Sequence, residues 1–119
     1  MDTTPPQVDL AAISTPRIYH RTGDRDLVLH WCPCRRSRAP VVVFFHGGGW
    51  NKGNPSQFAW QCKDLAEKNL ASAATVQYRL RGEGAADAWD CVADAKAALR
   101  WLRAHHADLG IDPHRLCAA

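Results

Sequence analysis

The chain has 119 residues, 46% apolar and 23% charged, with a net charge of +3, which suits one soluble globular domain. Its basic residues are scattered apart from "RRSR" at 35–38, so the composition carries no nucleic-acid footprint and that short run reads as a solvated loop between two strands.

The leader "MDTTPPQVDLAAISTP", residues 1–16, has an acid at position 2, and Asp9 interrupts its short apolar patch. It is expected to be flexible, and it is neither a signal peptide nor a membrane span. A cytoplasmic location and no membrane partner follow as expectations. Residues 17–21, "RIYHR", and 26–32, "DLVLHWC", read as two strands joined by a turn at "TGD". The five cysteines, 32, 34, 62, 91 and 117, have no zinc-like spacing, and Cys32-Pro-Cys34 is one residue too tight for CxxC. Buried reduced thiols are expected, Cys117 among them as a core thiol.

"VVVFF" at 41–45 is a β-branched and aromatic run, expected as a strand buried on both faces. Asn54 then caps a helix with Pro55 in its first turn, and Phe58, Cys62, Leu65 and Ala66 fall on one face. "ASAATVQYRL" at 71–80 gives the next strand, with Ala74, Val76 and Tyr78 alternating. After "GEGAADAW" a long helix runs from Asp87 to His106, with Ala88, Val92, Ala95, Leu99 and Leu102 as its apolar seam. Arg103, His105 and His106 suit the negative end of its dipole, and Gly110 closes it. "IDPHR" reads as a turn and "LCAA" as the first residues of a further strand. Strands alternating with helices predict an α/β fold with a mostly parallel sheet and right-handed crossovers.

The segment "HGGGW", 46–50, follows the most apolar strand. Three consecutive glycines are costly to order, and what they offer is backbone N–H groups that a ligand can approach closely. Phosphate binding fits poorly: the lysine of "NKGN" precedes its glycine, which is wrong for a P-loop. A GxGxxG fingerprint from Gly47 would need glycine where Lys52 stands. A tight structural turn needs fewer glycines. The remaining reading is an oxyanion hole, in which amides at a strand's C-terminal end stabilise the developing alkoxide of acyl transfer.

"HGGGW" after an apolar third strand resembles the oxyanion motif of α/β-hydrolase-fold esterases and lipases, in particular the hormone-sensitive-lipase-like group. "NPSQF", "YRL" and "DCVADAKAALRWLRAHHADLGIDPHRL" resemble, in the same order, segments of the branch with acetyl-xylan and feruloyl esterases. The likeness covers residues 25–119. It implies that Gly48 and Gly49 donate to the oxyanion, that His46 braces the loop, and that His46, Gly47 and Trp50 contact substrate. It further implies that the third strand lies between the fourth and fifth, so that the last strand leaves an apolar edge open to self-association. Arg79 and Asp94 stand as an ion pair tying strand to helix, or as two solvated charges.

The family's nucleophile lies in G-x-S-x-G and is followed by an acid and a histidine. Ser14, Ser37, Ser56 and Ser72 all lack flanking glycines, and the family pattern places the serine just beyond "RLCAA". The expectation is an incomplete α/β-hydrolase fold: a leader, 1–16, and the N-terminal half of the domain, 17–119, ending at the start of the nucleophile strand. It is the N-terminal part of a serine carboxylic-ester hydrolase acting on a small-molecule or carbohydrate ester without cofactor or metal, and inactive as this chain alone. Metal binding by His105, His106 and Asp108 is disfavoured, because adjacent histidines on a helix diverge by about 100°. Two alternatives remain: a non-catalytic interaction module that retains the half-fold, and a nucleotide-binding α/β domain.

Overall fold

Alternation along the second strand sorts its side chains to two sides, and the molecule is built on that sorting. The computed structural model describes residues 8–23, 25–49 and 53–119. Strands β1 (Thr15–Arg21) and β2 (Asp26–Cys32) pair antiparallel. Thr22 helps close their turn, its hydroxyl donating to Arg25 O at 2.7 Å. In the segment expected as a leader, residues 1–7 lie outside the described residues. Asp9 caps a short helix α1 (Leu10–Ile13), and β1 already begins at Thr15.

Strand β3 (Ala39–Phe45) leads through a 3-10 turn (Pro55–Phe58) and helix α2 (Ala59–Glu67) to β4 (Ser72–Val76). A two-residue ladder of β5 (Leu80–Arg81) and β6 (Gly84–Ala85) precedes helix α3 (Ala88–Ala104), short helix α4 (His106–Leu109) and strand β7 (Ile111–Ala118). The sheet order is β1-β2-β4-β3-β7, with β4, β3 and β7 parallel. The third long strand therefore lies between the fourth and the last, as expected.

The crossover from β3 to β4 and the one from β4 back past β3 to β7 run in opposite directions across the sheet, so right-handed connections put their helices on opposite faces. Val41 and Val43 of β3, Leu27, Leu29 and Trp31 of β2, and Ala74 and Val76 of β4 meet Ala98 and Leu102 of α3. On the other face Phe44, Cys32 and Ala73 meet Cys62, with Phe58, Leu65 and Ala66 packed around them. Fully burying a side chain such as Leu102 contributes about 1.5–3 kcal/mol.

Helix α3 corrects the expected seam. Its buried residues are Cys91, Asp94, Ala98 and Leu102, while Ala88, Val92, Ala95 and Leu99 are only half-buried. An apolar count passes over the aspartate at the centre of the buried stripe, and the assigned face shifts accordingly. Asp87 caps the helix, accepting from the amides of Trp89 and Asp90. The helix stops at Ala104, short of the expected His106, and Gly110, expected to close it, instead ends the separate α4 in the left-handed conformation at φ 68°.

Strand β7 also differs from expectation, because the predicted turn "IDPHR" lies within it. Its pairing jumps from Ala39↔Ile111 to Val41↔Leu116, and Asp112 Oδ1 accepts from His114 N at 2.9 Å inside that irregularity. The turn survives as a bulge, and Pro113 is tolerated because it lies within that bulge and outside the paired register. The same position leaves Cys117 exposed, not a core thiol.

Cys32, Cys62 and Cys91 are buried, and burial pushes the Cys62 thiol up to about 12, with Cys32 adding to the rise. Thiolates are the reactive form. Ellman's reagent is therefore expected to modify Cys117 rapidly in the folded protein, and Cys32, Cys62 and Cys91 only after denaturant is added. Rapid native labelling of Cys62 would contradict this packing.

Candidate functional site

The loop after β3 emerges beside the end of β4, where the chain's two crossovers leave adjacent strands for opposite faces of the sheet. In open α/β sheets such switch points, at the carboxyl ends of the strands, are where ligands bind. His46 is buried there, its ring stacked on Tyr78 with centroids 4.4 Å apart and planes at 13°. The Tyr78 hydroxyl donates to His46 O at 2.5 Å. The Gly47 amide donates to Gln57 Oε1 at 2.8 Å, and His46 Nδ1 contacts Gly47 O at 3.1 Å. A carbonyl can only accept, so the imidazole proton sits on Nδ1.

Gly48 and Gly49 follow with φ of 133° and 65°, conformations that side-chain-bearing residues rarely take. Among the described residues nothing accepts from either amide. A cleft of 230 Å³ is lined by Phe45, His46, Gly47, Gly49 and Tyr78. Of the predicted site residues, His46, Gly47, Gly48 and Gly49 form this loop, and Trp50 lies outside the described residues.

Three contributors went unassigned at the sequence level: Gln57, Gly53, and Tyr78 as a brace. Gly53, at φ 97°, returns the chain against the loop so closely that a β-carbon there would collide with Gly47 O and lie 2.7 Å from His46 Nδ1. Its signal was the isolated glycine of "NKGN".

Below the loop, Arg79 and Asp94 settle as a buried pair. The guanidinium meets the carboxylate through Nε at 3.0 and 3.2 Å and Nη2 at 2.9 Å, and the Arg79 amide adds a bond of 2.9 Å. The Asp94 side chain is 2% exposed. Its hydrogen bonds hold Arg79 more firmly protonated than usual. Cys91 Sγ donates to Arg79 O at 3.0 Å. The residue that follows Tyr78 is thus fixed to α3 at its amide, carbonyl and side chain.

The other chemistry-bearing residues are occupied elsewhere. Ser14, Ser56 and Ser72 hydroxyls bond Leu10 O, Asn54 Oδ1 and Cys34 Sγ, and none is joined to a histidine. His105 Nδ1 donates to Trp101 O and stacks on that indole, and His106 Nδ1 donates to Arg103 O. Among the described residues no three histidine, cysteine or acidic side chains cluster as metal ligands, and no helix is long and apolar enough to cross a membrane.

The family model BD-FAE matches residues 27–119. The chain belongs to the BD-FAE family. Its relatives make this a family of carboxylic-ester hydrolases with the α/β-hydrolase fold. Carboxylesterase NlhH of Mycobacterium tuberculosis is 35% identical over 85% of this chain and 31% of its own length. Esterase LipI of the same organism is 35% identical over 76% of this chain and 28% of its own. A thermophilic esterase from Thermogutta terrifontis superposes with a TM-score of 0.83 at 36% identity, covering 89% of this chain and 39% of that one. The chain thus spans about a third of the length of these curated relatives. All of these are esterases, and they give no support to the nucleotide-binding or interaction-module alternatives.

Proposed function

We propose that the loop from His46 to Gly49 is the oxyanion-binding element of a serine carboxylic-ester hydrolase. Gly48 and Gly49 donate their amides to the tetrahedral intermediate, while His46, Gly47 and Trp50 border the substrate. The observation that carries this is a register. Ala119 N donates to Val43 O at 2.8 Å, and Phe45 N donates to Ala119 O at 2.9 Å. The C-terminal end of β7 therefore runs parallel to β3 and toward the glycine loop. A serine a few residues past Ala119 would stand beside those amides, as acyl transfer requires of nucleophile and oxyanion donors.

The substrate class follows by likeness: the Thermogutta esterase has been captured with propionate and with butyrate bound, which supports a short-chain acyl ester here. No serine in these 119 residues has the flanking glycines of a nucleophile elbow, and amides alone give little catalysis. The 119-residue polypeptide is therefore expected to leave p-nitrophenyl acetate unhydrolysed above background. A polypeptide continuing into a glycine-flanked serine is expected to hydrolyse it and to lose about 10²–10³-fold in kcat when a side chain at Gly48 or Gly49 drives the backbone from its positive φ and turns the amide away. Full activity in those variants would refute the assignment.

A further inference from the structure

The amides of Gly48 and Gly49 can serve only if the loop holds them in one orientation, and glycine is the residue least able to do so by itself. The His46–Gly47 peptide is gripped at both ends. Its oxygen receives the Tyr78 hydroxyl at 2.5 Å, and its N–H is taken by Gln57 Oε1 at 2.8 Å. The next peptide is held by its oxygen, since Gly47 O accepts from His46 Nδ1 at 3.1 Å. Peptide bonds here are trans, so the Gly48 N–H points opposite to the Gly47 carbonyl and away from the imidazole. Its direction is therefore set by three side chains and not by the glycines.

We propose that Tyr78 and Gln57 are positioning residues that aim the Gly48 amide by clamping the His46–Gly47 peptide from its two ends. Each is itself fixed from a different layer. Tyr78 stacks on His46 and precedes Arg79, which Asp94 and Cys91 of α3 hold from one face of the sheet. Gln57 sits on the 3-10 turn on the other face. There Asn54 caps the turn, Thr75 Oγ1 donates to Pro55 O at 2.8 Å, and Phe58 stacks on Phe44 with centroids 4.9 Å apart. The two crossovers that sandwich the sheet each send one side chain to the same peptide unit. The proposal gives the loop's geometry a cause, and it rests on the oxyanion reading only for its catalytic consequence.

The test uses the amides of Gly47 and Gly48 as reporters in uniformly 15N-labelled protein, so that the amides of β3 and β4, which hold no glycine, are read alongside them. Gln57→Leu removes the acceptor and Gln57→Glu retains an oxygen at the same place. Tyr78→Phe removes the hydroxyl and keeps the ring stack. Amide exchange at Gly47 is expected to rise about fivefold in Gln57→Leu and to return to the parent rate in Gln57→Glu. The Gly48 resonance is expected to shift in Gln57→Leu and in Tyr78→Phe, while exchange in β3 and β4 stays unchanged. Unaltered Gly47 exchange in Gln57→Leu together with an unmoved Gly48 resonance in Tyr78→Phe would overturn the clamp. The catalytic consequence is read separately, in a form carrying the nucleophile, where Tyr78→Phe is expected to lower kcat tenfold with KM unchanged. An altered Gly48 resonance with unaltered kcat would leave the clamp standing and remove the oxyanion reading.

Discussion

Replacing Asp94 by alanine is expected to lower the unfolding free energy by about 3–5 kcal/mol, read from urea denaturation of the parent and variant proteins. The carboxylate is buried and takes hydrogen bonds from the Arg79 amide and from two guanidinium nitrogens. Its removal strands a guanidinium whose side chain is only 22% exposed, together with a backbone N–H. The cost is that of an uncompensated charge, which is larger than the net contribution of the intact pair. The distinction can be measured. Arg79→Met together with Asp94→Ala removes both charges and should cost less than Asp94→Ala alone. Asp94→Asn keeps an acceptor for the Arg79 amide and should fall between parent and alanine variant. A change below 0.5 kcal/mol in Asp94→Ala, the ordinary scatter for surface substitutions, would mean the pair is solvated in solution.

Most of the scaffold was legible because it rests on periodicities that do not depend on distant neighbours. The hairpin, the strand at "VVVFF" and the cap at Asn54 all appear where propensity and pattern place them. The failures share one cause. Cys117 has the chemistry of a core residue, but its exposure is set by β7 being the outer strand, which is a property of sheet order. The α3 seam was misassigned because the position at its centre is a charged residue whose partner lies fifteen residues away, so an apolar pattern cannot register it. Arg79 and Asp94 are recognisable in sequence as a pair or as two solvated charges, and only their burial together says which face of the helix turns inward.

The site was legible in the same divided way. Residues that would face the chemistry announce themselves, since three consecutive glycines after a buried strand have few structural uses. The residues that shape the loop do not. Gln57 is a polar residue in a helix start, and Tyr78 reads as one more alternating strand position. Only the fold brings them, ten and thirty-two residues along the chain, to one peptide unit. Positioning groups are hard to see in sequence because their roles are defined by what they approach in space.

Gly53→Ala is the second substitution with a large expected effect, and it isolates the loop from the core. Gly53 occupies φ 97°, and an added β-carbon would collide with the Gly47 carbonyl oxygen and the His46 ring. Neither neighbour can retreat cheaply. The oxygen belongs to a peptide unit that follows the clamped one, and the ring is buried against Tyr78. Gly82 supplies the control: its φ is 80°, yet nothing lies within 4 Å of an added β-carbon. Gly82→Ala should therefore show conformational strain alone, about 1–2 kcal/mol. Gly53→Ala should add the collision and reach roughly 3 kcal/mol or more, with the 15N resonances of Gly47 and Gly48 displaced. Because the contact is local to the loop, helix α2 and the hairpin should keep their parent exchange rates in Gly53→Ala. Equal losses for the two variants would mean that the chain beyond Gly49 does not fold back onto His46 in solution.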